Sequence, residues 1–193
     1  MDFIWTTRWL MGCSAALEPI VFTSLYDDDH GGDTNVDGVA TTPWRGDWGR
    51  IRLTDAADSS LTELLVRDGQ KVASKMQVAT SCCTNDRAAD GAISVSSVRA
   101  PVLDGLFVER SRSRGAYLSI TGGFATNVSG SVFADNLGTG LEIAHGNGAL
   151  AVDGVDLLRN AGDGLTVSTG GGLSLATVLA RDNGADGMTL TIG

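Results

Sequence analysis

The sequence is poor in the residues that normally cover the exposed faces of helices. Its 193 residues include two Lys, four Glu and two Gln, and these residue types usually fill solvent-facing helical positions. Proline is scarce, with three residues, and no Gly-X-Y period accompanies the 26 glycines, which excludes a collagen-like chain. Of the 23 acidic residues, 19 are Asp, which favours turns over helices. The composition therefore excludes a helical bundle and predicts a β-rich, turn-rich chain.

Positive charge is also in short supply, since the formal net charge is -9. A nucleic-acid-binding protein needs a basic stripe, and docking on anionic lipid needs basic residues as well. No apolar run approaches the roughly 20 residues that span a bilayer. We therefore expect no nucleic-acid partner and no membrane insertion, whereas an Asp-rich negative charge suits calcium binding or simple solubility.

The cysteines, Cys13, Cys82 and Cys83, are too few and too poorly spaced for a disulfide framework or a zinc site. Leu10-Met11-Gly12-Cys13 has the form of a bacterial lipobox, in which Cys13 would carry the lipid. Asp2 and Arg8 interrupt the stretch that a signal peptide would need. We find no convincing signal peptide, and the favoured interpretation is that Cys13 belongs to an ordinary turn and strand.

An internal repeat of about 23 residues occupies the C-terminal half, and such repeats indicate solenoid folds. Four sets of equivalent residues, here called columns, recur at spacings of 24 and 23 residues. They are Asn136, Asn160 and Asn183; Gly140, Gly164 and Gly187; Leu141, Leu165 and Met188; and Val128, Val152 and Leu175. Earlier copies are predicted at Leu106 to Ser111 and at Leu61 to Gly69. In the same repeat frame, Leu118-Ser-Ile120 is predicted to occupy the position equivalent to Leu141-Glu-Ile143, which lies 23 residues later.

Each repeat contains about three short apolar-polar-apolar segments, such as Leu141-Glu-Ile143 and Leu150-Ala-Val152. This alternation is strand periodicity, and three strands per coil describe a parallel β-solenoid. We expect one domain over residues 1–193, with a long acidic loop inserted at 26–47. The residues predicted to line the interior are Leu141, Ile143, Leu165, Val167, Met188 and Leu190. The Asn column is predicted to stack as an amide ladder at a corner, where Asn adopts left-handed backbone readily, and the glycine columns are predicted to allow positive φ.

At this point the chain resembles the right-handed parallel β-helix family, the pectate-lyase-like superfamily, in its bacterial surface-protein branch. The Asn-x-x-x-Gly-[Leu/Met] coils over about 92–193 carry the resemblance, together with Glu18-Pro-Ile-Val-Phe-Thr-Ser24 and the later Gly46-Asp-Trp-Gly49. The resemblance implies a right-handed β-helix from a bacterial protein that is extracellular or on the cell surface. Since both ends resemble cuts inside a coil, we expect a fragment of a longer protein.

The acidic loop contains the strongest chemical motif. Asp33-x-Asn35-x-Asp37-Gly38 reproduces the first half of an EF-hand calcium loop. Trp44 stands where the usual bidentate Glu would be, so the motif is not an EF-hand. Calcium is the candidate cofactor, and a merely solvated acidic loop is the alternative. The candidate metal ligands are Asp27, Asp28, Asp29, Asp33, Asn35 and Asp37.

Candidate catalytic residues are sparse. A polysaccharide lyase or epimerase on this fold would need several acids and a base gathered from adjacent coils. The best set in the sequence is Glu142, His145 and Arg159, and its alternative interpretation is a solvent-facing strand with a turn histidine. The predicted outward row contains one acid among four residues: Ser119, Glu142, Thr166 and Thr189.

The sequence therefore predicts a non-enzymatic secreted or cell-surface scaffold for adhesion or glycan contact, with calcium as a stabiliser and polysaccharide or cell-surface glycan as the partner. The alternative is a carbohydrate-active enzyme (lyase, epimerase or hydrolase) that acts on acidic polysaccharide. A minor alternative is an ice-binding solenoid, suggested by stacked Thr166-x-Ser168 and Thr189-x-Thr191 and broken at Glu142-x-Ala144. A groove that gathers acids and a base from adjacent coils would favour the enzyme over the scaffold.

Overall fold

A computed structural model describes residues 19–54, 59–69 and 91–193, and all regular secondary structure in these ranges is β. The predictions for Cys13, Cys82 and Cys83 lie outside these ranges. The strands are β1 (Ile20–Phe22), β2 (Ile51–Thr54), β3 (Ser60–Thr62), β4 (Leu64–Arg67), β5 (Gly91–Ser97), β6 (Val102–Asp104), β7 (Phe107–Glu109), β8 (Arg114–Ile120), β9 (Thr126–Ser129), β10 (Val132–Ala134), β11 (Leu141–His145), β12 (Leu150–Asp153), β13 (Asp156–Leu158), β14 (Leu165–Thr169), β15 (Leu173–Ala176), β16 (Leu179–Arg181) and β17 (Met188–Ile192).

The strands form three parallel sheets, each of which takes every third strand of the chain. Sheet A has the order β1-β4-β7-β10-β13-β16, sheet B has β2-β5-β8-β11-β14-β17, and sheet C has β3-β6-β9-β12-β15. Successive strands of a sheet pair in parallel, as β11 with β14 and β12 with β15. The chain is therefore a parallel β-solenoid with about 24 residues per turn, and the predicted all-β repeat architecture is confirmed.

The core lies between the three sheets and is built from alternate residues of each strand. Four of the six predicted interior residues are at most 1% exposed: Leu141, Ile143, Leu165 and Val167. Met188 and Leu190 pair with Leu165 and Val167, yet they are 36% and 43% exposed. Met188 and Leu190 therefore occupy the predicted position of the repeat, but the prediction that they are buried is wrong. The reason is that β17 is the last strand of sheet B and no further described coil covers it.

The Asn column forms the predicted amide ladder. Asn136 Nδ2 donates to Asn160 Oδ1 at 2.9 Å, and Asn160 Nδ2 donates to Asn183 Oδ1 at 3.1 Å. One coil earlier, the Ser111 backbone N–H donates to Asn136 Oδ1 at 2.9 Å. Asn136 and Asn160 are both 1% exposed, so the ladder satisfies buried polar groups along the interior of the corner.

The backbone explanation predicted for the Asn and Gly columns is wrong. The left-handed residue at this corner is the one before each Asn, and these residues are Asp135, Arg159 and Asp182, with φ of 54°, 53° and 59°. The glycines are needed for close approach instead. A Cβ at Gly140 would lie 2.7 Å from Asn160 Nδ2, a distance that packed atoms do not tolerate.

The left-handed corner residues form a column of alternating charge, here called the charged column: Asp68, Arg110, Asp135, Arg159 and Asp182. Arg110 Nε lies 2.9 Å from Asp68 Oδ1. Arg159 binds Asp135 through two bonds of 2.9 and 2.7 Å. A left-handed backbone costs a non-glycine residue about 1–2 kcal/mol, and these ion pairs offset part of that cost.

One predicted register is wrong by two residues. Leu118 pairs with Ile143, and Leu141 pairs with Ala116, whereas the sequence alignment placed Leu118 above Leu141. The coil between β8 and β11 is therefore 25 residues long. The earlier copies are placed correctly, since Val66 pairs with Val108 and Ser111 occupies the first position of the Asn ladder.

Candidate functional site

The acidic loop, predicted at 26–47, connects β1 to β2 without any strand of its own. It is anchored at its C-terminal end, where the Gly46 backbone N–H donates to Asp68 O at 2.9 Å. The indole Nε1 of Trp48 donates to Arg67 O at 2.7 Å, and the ring packs against the core. These contacts hold the loop against the corner between sheets A and B.

The calcium motif of the loop is folded around the side chain of Asp33. Its Oδ1 accepts from the Asp37 backbone N–H at 3.0 Å, and its Oδ2 accepts from the Gly38 N–H at 2.8 Å. Asn35 Nδ2 donates to Asp37 Oδ2 at 2.8 Å. The structure thus brings together the three predicted ligands that lie in the motif.

Three oxygens of this loop are buried and lack a hydrogen-bond donor: Asp28 Oδ1, Asn35 Oδ1 and Asp37 Oδ1. Burial raises the pKa of the Asp28 carboxyl, and the neighbouring carboxylates of Asp33 and Asp37 raise it further. Oxygens of this kind are the ligands that Ca²⁺ prefers. Within the described ranges, no three His, Cys, Asp or Glu side chains surround one metal position, so a cation here would also need the Asn35 amide and backbone carbonyls.

The other two predicted ligands are placed differently. Asp29 is exposed. Asp27 is 1% exposed, and its Oδ2 lies 3.2 Å from His30 Nδ1 and 3.4 Å from Arg67 Nη1. Its carboxylate also accepts a 2.5 Å hydrogen bond from the hydroxyl of Thr23. Asp27 therefore belongs to a network of charged side chains that connects the start of the loop to β4.

That network borders a groove of about 510 Å³ on the outer face of sheet A, here called the sheet A groove. Its floor is formed by β4 and β7, where Leu65 pairs with Phe107 and Arg67 with Glu109. The groove is lined by Pro19, His30, Glu63, Leu64, Leu65, Arg67, Gly105, Phe107 and Glu109. The groove is open to solvent along one side, so it suits contact with one face of a ligand.

Arg67 lies inside the groove, where its Nη1 has two polar contacts and its buried Nε has an ion-pair contact without hydrogen-bond geometry. Its Nε lies 2.6 Å from Glu109 Oε1, and the side chain is 14% exposed. Its Nη1 lies 3.1 Å from His30 Nδ1, an atom that is also 3.2 Å from Asp27 Oδ2. Because His30 Nδ1 either accepts from Arg67 or donates to Asp27, one of these two contacts is satisfied at a time.

Glu63 lies at the rim of the groove in a strained position. It has φ of 53° at the corner before sheet A, where the next three coils have Gly105, Gly130 and Gly154. Its carboxylate fills the space beside the first of these, since a Cβ on Gly105 would lie 2.8 Å from Glu63 Oε1. Glu63 is exposed, and no ion pair joins its carboxylate to another described residue.

The structure does not bring the predicted catalytic residues together. Glu142 faces outward from sheet B and pairs with Arg114, whose Nε lies 2.5 Å from Glu142 Oε2. His145 points inward, is 6% exposed, and its Nε2 lies 2.9 Å from Thr126 Oγ1. Arg159 lies at the corner after sheet A, in the charged column. The three side chains thus occupy three different sides of the coil.

The corrected register also changes the predicted outward rows of sheet B. Glu142 lies beside Tyr117, and Ala144 lies beside Ser119. Thr166 and Thr189 remain neighbours, and both hydroxyls donate to Asp163 Oδ2, at 3.0 and 2.9 Å. The row predicted for ice binding is therefore partly engaged by a carboxylate, and ice binding stays a prediction.

Sequence reasoning missed the sheet A groove, although a signal for it was present. The copies at Leu61 to Gly69 and Leu106 to Ser111 place Arg67 opposite Glu109 and Asp68 opposite Arg110 when they are superposed. Opposite charges at equal positions of stacked coils indicate neighbouring ion pairs. This comparison would have located the floor of the groove.

The parallel sheets and the turn of about 24 residues define the class, which is a β-solenoid repeat protein. In the ranges that the structure describes, no helix is long and apolar enough to cross a membrane. Comparison of the chain with protein-family models, with curated proteins and with solved structures found no match.

Proposed function

We propose that the protein is a non-enzymatic scaffold of the secreted or cell-surface type, which contacts glycan through the sheet A groove and is stabilised by Ca²⁺ in the acidic loop. The observation that carries the proposal is the groove itself. It combines the ring of Phe107, 40% exposed, with apolar Leu65 and several polar side chains. An apolar floor with a few oriented polar groups is the usual construction of a small-ligand site.

The separation of Glu142, His145 and Arg159 supports a scaffold. A general acid or base must reach the reacting atom directly or through one water. Here Glu142 and His145 point to opposite faces of the same strand, and Arg159 is bound to Asp135. No shared substrate position is available to the three side chains.

Glycan contact is tested by measuring retention on a panel of immobilised polysaccharides. We expect Phe107→Ala to reduce retention severalfold, because the mutation removes the exposed ring on the groove floor. Phe124→Ala is the matched control, since Phe124 is 44% exposed but lies outside the groove. Equal retention of both variants and the wild type would contradict the assignment of the groove.

Calcium binding is supported by the three buried oxygens without donors, those of Asp28, Asn35 and Asp37. Binding to the folded state alone stabilises it by RT ln(1 + [L]/Kd). With Ca²⁺ at about 10 to 100 times Kd, this amounts to about 1.4–2.7 kcal/mol, or roughly 3–10 °C in Tm for a chain of this size.

The melting temperature should therefore rise on addition of millimolar Ca²⁺ and fall again with chelator. Asp33→Ala with Asp37→Ala should remove the response. Asp28→Asn alone should also remove it, because it replaces one of the two carboxylate oxygens without donors by a weaker ligand. Asp29→Asn is the control, since it removes the same charge at an exposed position. A melting curve that ignores both Ca²⁺ and chelator would show that the loop is only solvated.

A carbohydrate-active enzyme is the second candidate, and one observation favours it. The groove gathers Glu63, Glu109 and His30 from adjacent coils and the loop, with Asp27 oriented toward the imidazole. An Asp–His pair beside two carboxylates is an acid–base arrangement. Incubation with uronic-acid polysaccharides, followed by the absorbance of unsaturated products, tests lyase activity. Turnover that is lost in His30→Gln would replace the scaffold proposal with this one.

A further inference from the structure

We infer that the sheet A groove selects a cationic amino sugar over neutral and acidic sugars, and this inference rests on the proposed glycan contact. It follows from the charges that the fold gathers around the groove. Asp27, Glu63 and Glu109 contribute three negative charges, and Arg67 contributes one positive charge. The charges of these four side chains sum to -2, in a chain whose net charge is -9.

An acidic sugar would have to compete for Arg67, which is the cation among the described residues that line the groove. Arg67 is 14% exposed, its Nε faces Glu109 at 2.6 Å, and its Nη1 faces His30 at 3.1 Å and Asp27 at 3.4 Å. A uronate would have to displace one of these partners and would also approach the carboxylate of Glu63. Two like charges about 4 Å apart repel by about 1 kcal/mol even in water and by more near a protein surface.

Glu63 provides the negative group that a cation would meet. Its corner position is occupied by glycine in the next three coils, because glycine adopts the left-handed backbone without steric cost. A glutamate at this position adopts the left-handed backbone at a steric cost, as Thr177 does at the same corner of a later coil. Gly105 leaves room for the carboxylate, which lies at the rim with no cation bound to it among the described residues.

The floor of the groove suits the ring of a sugar. Phe107 exposes 40% of its surface, and Leu65 and Pro19 add apolar area on the same lining. A sugar ring that rests on Phe107 can direct an ammonium group to the rim at Glu63. The aromatic face also attracts a cation through its quadrupole. An uncharged N-acetyl group would gain neither interaction.

The test is titration calorimetry on the full chain at about pH 6, where most amines of a chitosan oligomer are protonated and exposed carboxylates are ionised. The ligands are chitosan oligomers, the same oligomers fully N-acetylated, and oligogalacturonate. We expect the chitosan oligomers to bind at least about tenfold more tightly than either of the others, with an affinity that falls as salt is added. Glu63→Gln should reduce this affinity roughly twofold to fivefold. Glu142→Gln is the matched control, since it removes one carboxylate from the outer face of sheet B and should leave the affinity unchanged.

Glu63→Gly separates a role in binding from a role in folding. It removes the carboxylate but supplies the residue that the corner prefers, so we expect Tm to be maintained or raised while the chitosan affinity falls.

Each other outcome has a defined meaning. Equal or tighter binding of the N-acetylated oligomers or of oligogalacturonate would overturn the amino-sugar assignment. If the neutral or acidic oligomers bind and lose affinity in Phe107→Ala, glycan contact survives without the charge selection. If no oligomer binds, both proposals for the groove fail, and the calcium proposal is judged separately by the melting curves.

Discussion

Replacement of the central ladder residue, Asn160→Ala, should be among the most damaging polar substitutions in the chain. The Asn160 amide donates from Nδ2 to Phe133 O at 3.0 Å and to Asn183 Oδ1 at 3.1 Å. Its Oδ1 accepts from the backbone N–H of Asn136 at 3.2 Å and from Asn136 Nδ2 at 2.9 Å. Alanine removes all four bonds and leaves polar groups of three residues, of which Phe133 and Asn136 are buried, with fewer partners.

The magnitude follows from this count. A hydrogen bond contributes about 1 kcal/mol net, and a buried group left without a partner costs more than that. Asn136 Nδ2 keeps a second acceptor, Val108 O at 3.3 Å, which limits the loss on one side. We therefore expect the free energy of unfolding to fall by about 3 kcal/mol. With a urea m-value of about 2–3 kcal/mol per molar, the midpoint should fall by about 1–1.5 M.

Urea denaturation followed by circular dichroism measures this change. The control is Asn127→Ala, because Asn127 is exposed and its side chain makes one long bond, 3.4 Å to Ser129 Oγ. That variant should unfold within about 0.5 kcal/mol of the wild type. If the two variants lose the same small amount, the amide ladder does not stabilise the fold, and the argument for the Asn column is refuted.

Three further predictions concern stability. Gly140→Ala should lower the free energy of unfolding by about 1–3 kcal/mol, because the new Cβ would lie 2.7 Å from Asn160 Nδ2. Gly172→Ala is the control, since a Cβ there meets open space and should have almost no effect. Urea midpoints compare the two variants. Phe133→Ala empties a fully buried site and should lower the free energy of unfolding by about 3–5 kcal/mol; a loss below 1 kcal/mol would contradict the described core. The hydrogen bonds from Arg159 hold the pKa of Asp135 below its usual range, so the folded state binds this proton more weakly than the unfolded state does. The resulting stabilisation is complete at neutral pH and is lost as pH falls below about 4. Asp135→Asn should therefore lower the free energy of unfolding by about 0.5–1 kcal/mol at about pH 7 and leave it unchanged at about pH 2. A difference between variant and wild type that does not depend on pH would refute the assignment.

The coil architecture was predictable because the C-terminal copies repeat several signals in the same frame. Asn136, Asn160 and Asn183 mark one corner, and the apolar pairs after them mark one strand. A structure that stacks identical positions makes such columns physically necessary, since each coil contacts only its neighbours. The exposure of the last coil was not predictable in the same way. Met188 occupies the same position of the repeat as Leu165, but no further described coil packs on it.

The error in the β8 register has a physical reason. Inward and outward residues alternate with a period of two, so a shift of two residues preserves the apolar pattern, whereas a shift of one would reverse it. Leu118 could therefore be aligned with Leu141 or with Ile143, and alternation alone does not distinguish them. The two extra residues lie in the coil that contains Ser111, where the Asn signal is also missing.

The groove was harder to predict than the coil. Arg67 and Glu109 are neighbours across β4 and β7 but are 42 residues apart in the sequence, so the 23-residue period does not connect them. Glu63 offers no motif, because its significance comes from the glycines that occupy its corner in later coils. The calcium motif was visible because its residues are adjacent in the chain, but the orientation of Asp27 toward Arg67 depends on a contact between distant segments.

The alternating charges of the charged column limit how many coils can be removed from the solenoid or added to it. Asp68, Arg110, Asp135, Arg159 and Asp182 alternate in sign from one coil to the next. Excision of the single coil that carries Asp135 would stack Arg110 on Arg159, and excision of the coil with Arg110 would stack two aspartates. Removing two successive coils restores opposite neighbours, because Arg110 would then meet Asp182. Internal coils can therefore be removed or added in pairs without electrostatic penalty. Removal of an odd number of internal coils places two like charges next to each other at a corner that is already strained.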